Sequence, residues 1–196
     1  RVGLILATTL LAQIGTFIVY TYFSVVFDRA ICGSATVLGG LLVLWGVAGT
    51  LSNLFTGRIL DKIGANKVVV AMMVTVMACL ALMHWTGAHP WTAAIAVTIW
   101  GACCWGVLVP QQYRLVTLMP SMAPLLVGLN TSATYVGVSI AGLLGAAAIP
   151  TIGAHRLGFV GSGLLAAALI VSHLATYRVA AVAKAQDGTA DARACA

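Results

Sequence analysis

Charged residues are the scarcest class in this 196-residue chain. Asp, Glu, Lys and Arg make up 7% of it, and only 4 of its residues are acidic, whereas soluble domains contain about 25% charged residues. The chain therefore has too little polar surface to cover a soluble globule. Its 61% hydrophobic content and mean hydropathy of +1.05 predict an all-α polytopic membrane protein. The apolar runs are continuous rather than alternating, which disfavours a transmembrane β-barrel.

Several chemical motifs are also missing from the sequence. The five cysteines follow no spacing typical of a disulfide scaffold or zinc site, and no His-Glu-x-x-His motif or phosphate-binding loop occurs. The basic residues form no patch interleaved with aromatic residues. We therefore expect no metal, no cofactor and no nucleic-acid partner. An intramembrane serine protease is disfavoured because Ser162 and His173 would lie about 16 Å apart on one helix, too far for a nucleophile and its base.

Six apolar segments of the chain are each near the ~20 residues that cross a bilayer. They cover residues 2–27, 36–56, 68–85, 91–110, 123–149 and 157–179. We expect residues 1–182 to form one six-helix bundle in the lipid bilayer. The polar, Ala-rich residues 183–196 are expected to form a disordered tail. Residue 1 is Arg and the first apolar run is too long for a signal peptide, so we expect the chain to start within a longer protein.

The distribution of Lys and Arg predicts the orientation of the bundle. With the N-terminus inside the cell, the outer flanks hold only Arg29 and Arg156. The other basic residues then lie on the inner flanks, in agreement with the positive-inside rule. Both ends of the chain are therefore expected in the cytoplasm. This places the segment between the second and third predicted spans, "GRILDKIGANK" at residues 57–67, on the cytoplasmic side.

This charged segment has the spacing of a known signature. Gly57, Asp61, Lys62, Gly64 and Lys67 follow the pattern G-x-x-x-D-[RK]-x-G-x-[RK]-[RK], with Asn66 where the pattern has its first basic residue. The segment resembles the motif that the major facilitator superfamily carries between the second and third of six spans. The resemblance implies one half of a twelve-helix transporter, which carries small molecules such as drugs, sugars or metabolites by alternating access.

The fifth predicted span indicates which half is present. Its sequence at residues 128–137, "GLNTSATYVG", resembles the eleventh span of the drug- and sugar-efflux branch, which includes drug:proton antiporters and arabinose-efflux-like proteins. We therefore interpret the chain as the C-terminal half in a bacterial-type inner membrane, with the N-terminal half as its partner. No carboxylate lies inside a predicted span, so a coupling acid for protons is expected in that other half. A stand-alone half-transporter acting as a homodimer is the alternative.

The resemblance implies that the motif forms a cytoplasmic gate, which holds that side closed until the two halves rock. The expected gate residues are Gly57, Arg58, Asp61, Lys62, Gly64 and Lys67. Gly57 would allow a neighbouring helix to approach closely. Asp61 would accept hydrogen bonds from the N-terminus of an adjacent helix or pair with Lys62 or Lys67.

Polar residues that share a face deep in a span are candidates for the substrate cavity, because exposing them to lipid is costly. The first span offers the best stripe, with steps of four, three and four residues. The expected lining is Thr9, Gln13, Thr16, Tyr20, Trp45, Asn53, Trp105, Asn130 and Thr134. Small residues at a spacing of four in the fifth span, Gly137, Ala141 and Gly145, are expected to support close helix packing.

Overall fold

Six long helices make up the protein in the computed structural model, which describes the backbone of residues 2–194 and the side chains of residues 2–175. All six are long and apolar enough to cross a membrane, and the described residues include no strand. The predicted all-α, six-span class is therefore confirmed. The helices, named here the first to sixth spans, are Val2–Thr21, Ala35–Ile63, Ala65–Thr86, Pro90–Gly106 continued by Leu108–Leu118, Ala123–Ile152 and Leu157–Ala194.

The second span is longer than the sequence predicts and includes most of the charged motif. It continues to Ile63, and the third span begins at Ala65. Only Gly64 lies between them, at a φ of 85° that glycine adopts without steric cost. The expected loop is therefore reduced to one residue, because Arg, Leu and Lys are good helix formers and continue the helix out of the apolar segment.

The fourth span also extends beyond its predicted end at Pro110. It is interrupted at Val107 and then continues as Leu108–Leu118. The break has a local cause: Pro110 has no backbone N–H for the carbonyl of Gly106, and its ring would clash with that carbonyl in a regular helix. The proline therefore interrupts the span rather than ending it.

The two ends of the chain differ from expectation as well. The first span ends at Thr21; one helical turn, Phe23–Val26, lies within the segment predicted up to residue 27, and a second, Asp28–Ile31, follows it. The sixth helix continues to Ala194 and so includes residues 183–194, while the disorder expected of this tail stays a prediction. Its many alanines favour helix, since Ala has the highest helix propensity. Residues 195 and 196 lie outside the described part, and the domain boundary at 182 stays a prediction.

The spans pack in a symmetric pattern. The first span lies against the fifth and sixth, and the fourth span lies against the second and third. Contacts between the third and sixth spans join the two groups. This is the pattern expected of two three-helix repeats with inverted topology. The first span is the most buried, while the second and fifth are the least buried.

Glycines set the closest approach within this packing. A Cβ atom on Gly15 would lie 2.7 Å from the carbonyl oxygen of Gly161 in the sixth span. A larger residue at either position would push the first and sixth spans apart. Consecutive spans run in opposite directions, so the bundle has two ends. We call the end that contains residues 57–67 the motif end and the other the opposite end.

Candidate substrate cavity

A cavity of about 310 Å³ lies between the first, fourth and fifth spans. Gln13 places it near the middle of the first span, which is about 30 Å long at 1.5 Å per residue. Its walls are uncharged polar, aromatic and apolar side chains: Gln13, Phe17, Cys104, Trp105, Leu108, Gln112, Asn130, Thr131, Thr134, Tyr135 and Val138. Cavities of this size, with a few polar groups in mostly apolar walls, accommodate small molecules.

Four of the predicted lining residues meet at this cavity. Gln13 comes from the first span, Trp105 from the fourth, and Asn130 and Thr134 from the fifth. Asn130 and Thr134 share a face because they are one helical turn apart, and the Thr134 hydroxyl donates to the backbone oxygen of Asn130 at 3.0 Å. The helical spacing thus places these polar groups together within the bundle.

Trp105 depends on a glycine that the sequence prediction did not single out. A Cβ atom on Gly49 of the second span would overlap the Trp105 ring, with Cγ at 2.8 Å. Gly49 is buried, so the indole packs directly on the backbone of the second span. The tryptophan is thereby held at the cavity wall by a close contact between the second and fourth spans.

The polar residues of the stripe on the first span do not all face the cavity. Thr9, Gln13 and Thr16 are all buried, but of the stripe only Gln13 lines the cavity. Thr9 lies behind Asn130 and donates a hydrogen bond from Oγ1 to Asn130 Oδ1 at 2.8 Å. Thr16 faces a narrow space between the first, third, fourth and sixth spans, which it shares with Gln13. The period of the helix predicted a common face, but neighbouring spans cover most of it.

Tyr20, the last residue of the stripe, belongs to an aromatic cluster beside the cavity. Its ring stacks on Trp45 with a centroid distance of 4.3 Å. Trp45 in turn lies 5.5 Å from the ring of Trp105, which lines the cavity. Trp100, buried in the same cluster, was not predicted. The cluster reaches the cavity wall through Trp105 and Phe17, which contact Trp45 and also line the cavity.

One predicted residue lies away from the cavity and several lining residues were missed. Asn53 is exposed on the second span and does not line the cavity. Gln112 was missed because the fourth span was predicted to end at Pro110, which left Gln112 outside the membrane. The other missed residues adjoin or share a face with predicted ones, and the helical period was the signal for them: Phe17, Cys104, Leu108, Thr131, Tyr135 and Val138.

The small residues of the fifth span lie against the first span. A Cβ atom on Gly137 would be 2.9 Å from both the Gln13 Cβ and the Leu10 carbonyl oxygen. One on Gly145 would overlap the ring of Tyr22, with Cδ2 at 2.7 Å. Ala141 between them is fully buried. This row therefore brings the fifth span close enough for Asn130 and Gln13 to line one cavity.

The residues of the charged motif have few contacts within the described part of the bundle. Arg58, Asp61, Lys62 and Lys67 are exposed. Across residues 2–175, Asp61 makes no hydrogen bond or ion pair, so the expected pairing with Lys62 or Lys67 is absent. Nothing lies within 4 Å of a Cβ atom built on Gly57. The motif therefore presents open space and unpaired charge to whatever lies beside this bundle.

The opposite end is connected differently. Asp28 Oδ1 lies 2.6 Å from His155 Nε2, which joins the segment after the first span to the one before the sixth. Arg29 donates a hydrogen bond from Nη2 to the backbone oxygen of His84 at 2.7 Å. These two contacts join the connecting segments of the chain at the opposite end.

Comparison with known proteins identifies a matching family and several relatives of this chain. A family model described as Major Facilitator Superfamily matches residues 5–194. The inner membrane transport protein YdhP of Escherichia coli (strain K12) is 29% identical over 154 residues, which cover 79% of this chain and 38% of that protein. A probable sugar efflux transporter of Helicobacter acinonychis (strain Sheeba) is 25% identical over 156 residues, with coverages of 79% and 39%. The chain spans about two fifths of the length of these curated relatives.

Proposed function

This chain belongs to the major facilitator superfamily, and on that premise we propose that it forms one six-span half of a secondary active transporter. The transporter exports a small molecule from the cell in exchange for protons, by rocking of its two halves around a site near the middle of the membrane. The chain is the C-terminal half, with both of its ends in the cytoplasm.

The observation that carries this proposal is the cavity between the first, fourth and fifth spans. It lies at mid-membrane depth, where uncharged polar groups are tolerated only if they serve packing or function. Its polar groups offer both hydrogen-bond donors and acceptors, and Trp105 and Phe17 add flat apolar surface. Such a wall suits sugars or amphipathic drugs. The name of the Helicobacter relative, a probable sugar efflux transporter, agrees with the first class.

The missing half has two roles in this proposal. No lining residue of the cavity is acidic, so the group that carries the coupling proton belongs to the other half. The exposed motif then acts as a latch, with Asp61 and the space beside Gly57 receiving a helix of that half. Pairing of a carboxylate with a helix N-terminus is favourable because the helix dipole is positive there.

The test is transport by the full-length protein in proteoliposomes. With an imposed pH gradient, we expect flux of radiolabelled methyl glucoside or of ethidium, and we expect a protonophore to abolish it. Gln13→Ala should change KM or the choice between the two probes. The matched control is Thr75→Val on the third span, whose hydroxyl bonds its own helix at Ala71 O and lies outside the cavity. Flux insensitive to the protonophore would contradict proton coupling, and equal kinetics for Gln13→Ala would remove Gln13 from the site.

A further inference from the structure

Asn130 carries the one side-chain donor in the cavity wall that is fully buried and has no partner among the described residues. The residue is 1% exposed, and its Nδ2 atom makes no hydrogen bond. Its Oδ1 atom accepts the bond from Thr9. Buried polar groups in proteins are nearly always paired, so an orphaned amide N–H group at a cavity indicates a partner that binds there.

Thr9 contacts the amide oxygen of Asn130, so the amide nitrogen is the atom left without a partner among the described residues. The Thr9 hydroxyl has one proton, and two oxygens lie near it: Asn130 Oδ1 at 2.8 Å and the backbone oxygen of Ile5 at 3.3 Å. With the amide oriented as in the structure, the Thr9 hydroxyl donates to Asn130 Oδ1, the nearer of the two oxygens. The amide oxygen is therefore occupied, and the amide N–H₂ group is the end available to a ligand.

The surroundings restrict what that ligand is. No charged side chain lines the cavity. A bound anion would be buried without a counter-charge, and a cation would meet the positive end of the amide dipole. A neutral molecule with a hydroxyl, ether or carbonyl oxygen satisfies the donor, and Gln13 can bond a second oxygen. Trp105 offers a flat face for an apolar side of the same molecule.

We propose that Asn130 is a specificity-determining residue that donates an N–H bond to an oxygen of a neutral substrate, and that Thr9 is a positioning residue that holds the amide for this bond. The proposal rests on the transport function proposed above. It predicts that the transporter selects neutral, oxygen-rich molecules over cations. In this proposal Thr9 does not touch the substrate but supports Asn130 from outside the cavity.

Three substitutions in the full-length transporter test this in proteoliposomes, with methyl glucoside as the neutral probe and ethidium as the cationic one. Asn130→Asp keeps the shape but replaces the donor with an acceptor. We expect KM for methyl glucoside to rise about tenfold, the effect of one lost hydrogen bond of ordinary strength, and ethidium flux to increase. Thr9→Val keeps the volume but releases the amide, so KM should rise severalfold at unchanged kcat. Thr9→Ser should restore the original KM.

The results distinguish this proposal from the alternative that the hydrogen bond between Thr9 and Asn130 only holds the first and fifth spans together. If the pair only joins the two helices, Thr9→Val and Asn130→Asp will lower the yield of folded protein or kcat and leave KM unchanged, which overturns the proposal. Unaltered KM with normal folding overturns it as well. If the unmodified transporter carries neither probe, the proposed function fails instead. Thr75→Val serves as the control for a hydroxyl lost outside the site.

Discussion

The two ends of this bundle differ in how their charged residues are bonded. At the opposite end, Asp28 and His155 are 2.6 Å apart and Arg29 bonds the backbone of His84, so the connecting segments hold one another. At the motif end, the charges of residues 57–67 are exposed and Asp61 has no polar partner within residues 2–175. Asp28 and Arg29 thus have partners within the chain, whereas Asp61 has none among the described residues.

The difference separates two uses of charge in a membrane protein. Polar contacts formed within one chain stabilise its fold. Charged side chains without such a contact are available to bind another part of the transporter. Under the proposed mechanism, contacts of the second kind must form and break during each cycle. Mutations at the two ends should therefore affect different properties: folding and stability at the opposite end, and transport at the motif end.

The largest expected effect comes from Gly137, where the fifth span packs closely against the first. Gly137→Leu would drive a side chain into Gln13 and the carbonyl of Leu10. Overpacking of this kind costs about 1–3 kcal/mol or more, a large share of a typical stability of about 5–15 kcal/mol. We expect a clear fall in the yield of folded protein, as measured by size-exclusion chromatography in detergent.

Gly57→Leu is the matched change at the motif end. Because a Cβ atom there meets nothing within 4 Å, the yield of folded protein should be unchanged. Transport should nevertheless fall severalfold, since the added side chain fills the space proposed for a helix of the other half. Full transport by Gly57→Leu would show that no helix approaches this position and would remove Gly57 from the latch.

The sequence predicted the scaffold better than the site. Six spans followed from the apolar runs alone, and the family match confirms the resemblance drawn from Gly57, Asp61 and Gly64. The charged segment was wrongly expected to be a loop, because hydropathy does not distinguish a polar helix end from a turn. The break at Val107 has a clear signal in Pro110, but hydropathy could not show that the helix continues beyond it.

Within the site, the period of the helix identified Gln13, Asn130 and Thr134 as a common wall. It could not show that Thr9 lies behind Asn130, since that depends on how the first and fifth spans cross. The same limit applies to Gly49, which matters only because Trp105 packs on it from another span. Contacts between segments far apart in the sequence depend on tertiary packing, and the spacing of residues along one helix does not predict them.

A second change at the motif end concerns Asp61 alone. Asp61→Asn removes the charge with almost no change in shape, and we expect transport to fall at least about tenfold, as is typical when a charge-assisted hydrogen bond is lost. Membrane insertion and folded yield should stay the same, because the side chain has no polar partner in the described part of the bundle. Transport at the unmodified rate in proteoliposomes would contradict the latch and leave Asp61 as a solvated charge.

The smallest effect is expected from the same change at the opposite end, Asp28→Asn. Asp28 and His155 are both partly exposed, and exposed pairs contribute about 0–1 kcal/mol to stability. The asparagine can still accept a hydrogen bond from the imidazole, so the melting temperature in detergent should fall by only a few degrees and transport should change less than twofold. If Asp28→Asn instead abolished transport as Asp61→Asn is expected to do, the contact between Asp28 and His155 would also have to open during the cycle. The two ends would then both be gates, and the contrast between a closed end and an open one would describe a single state of the cycle.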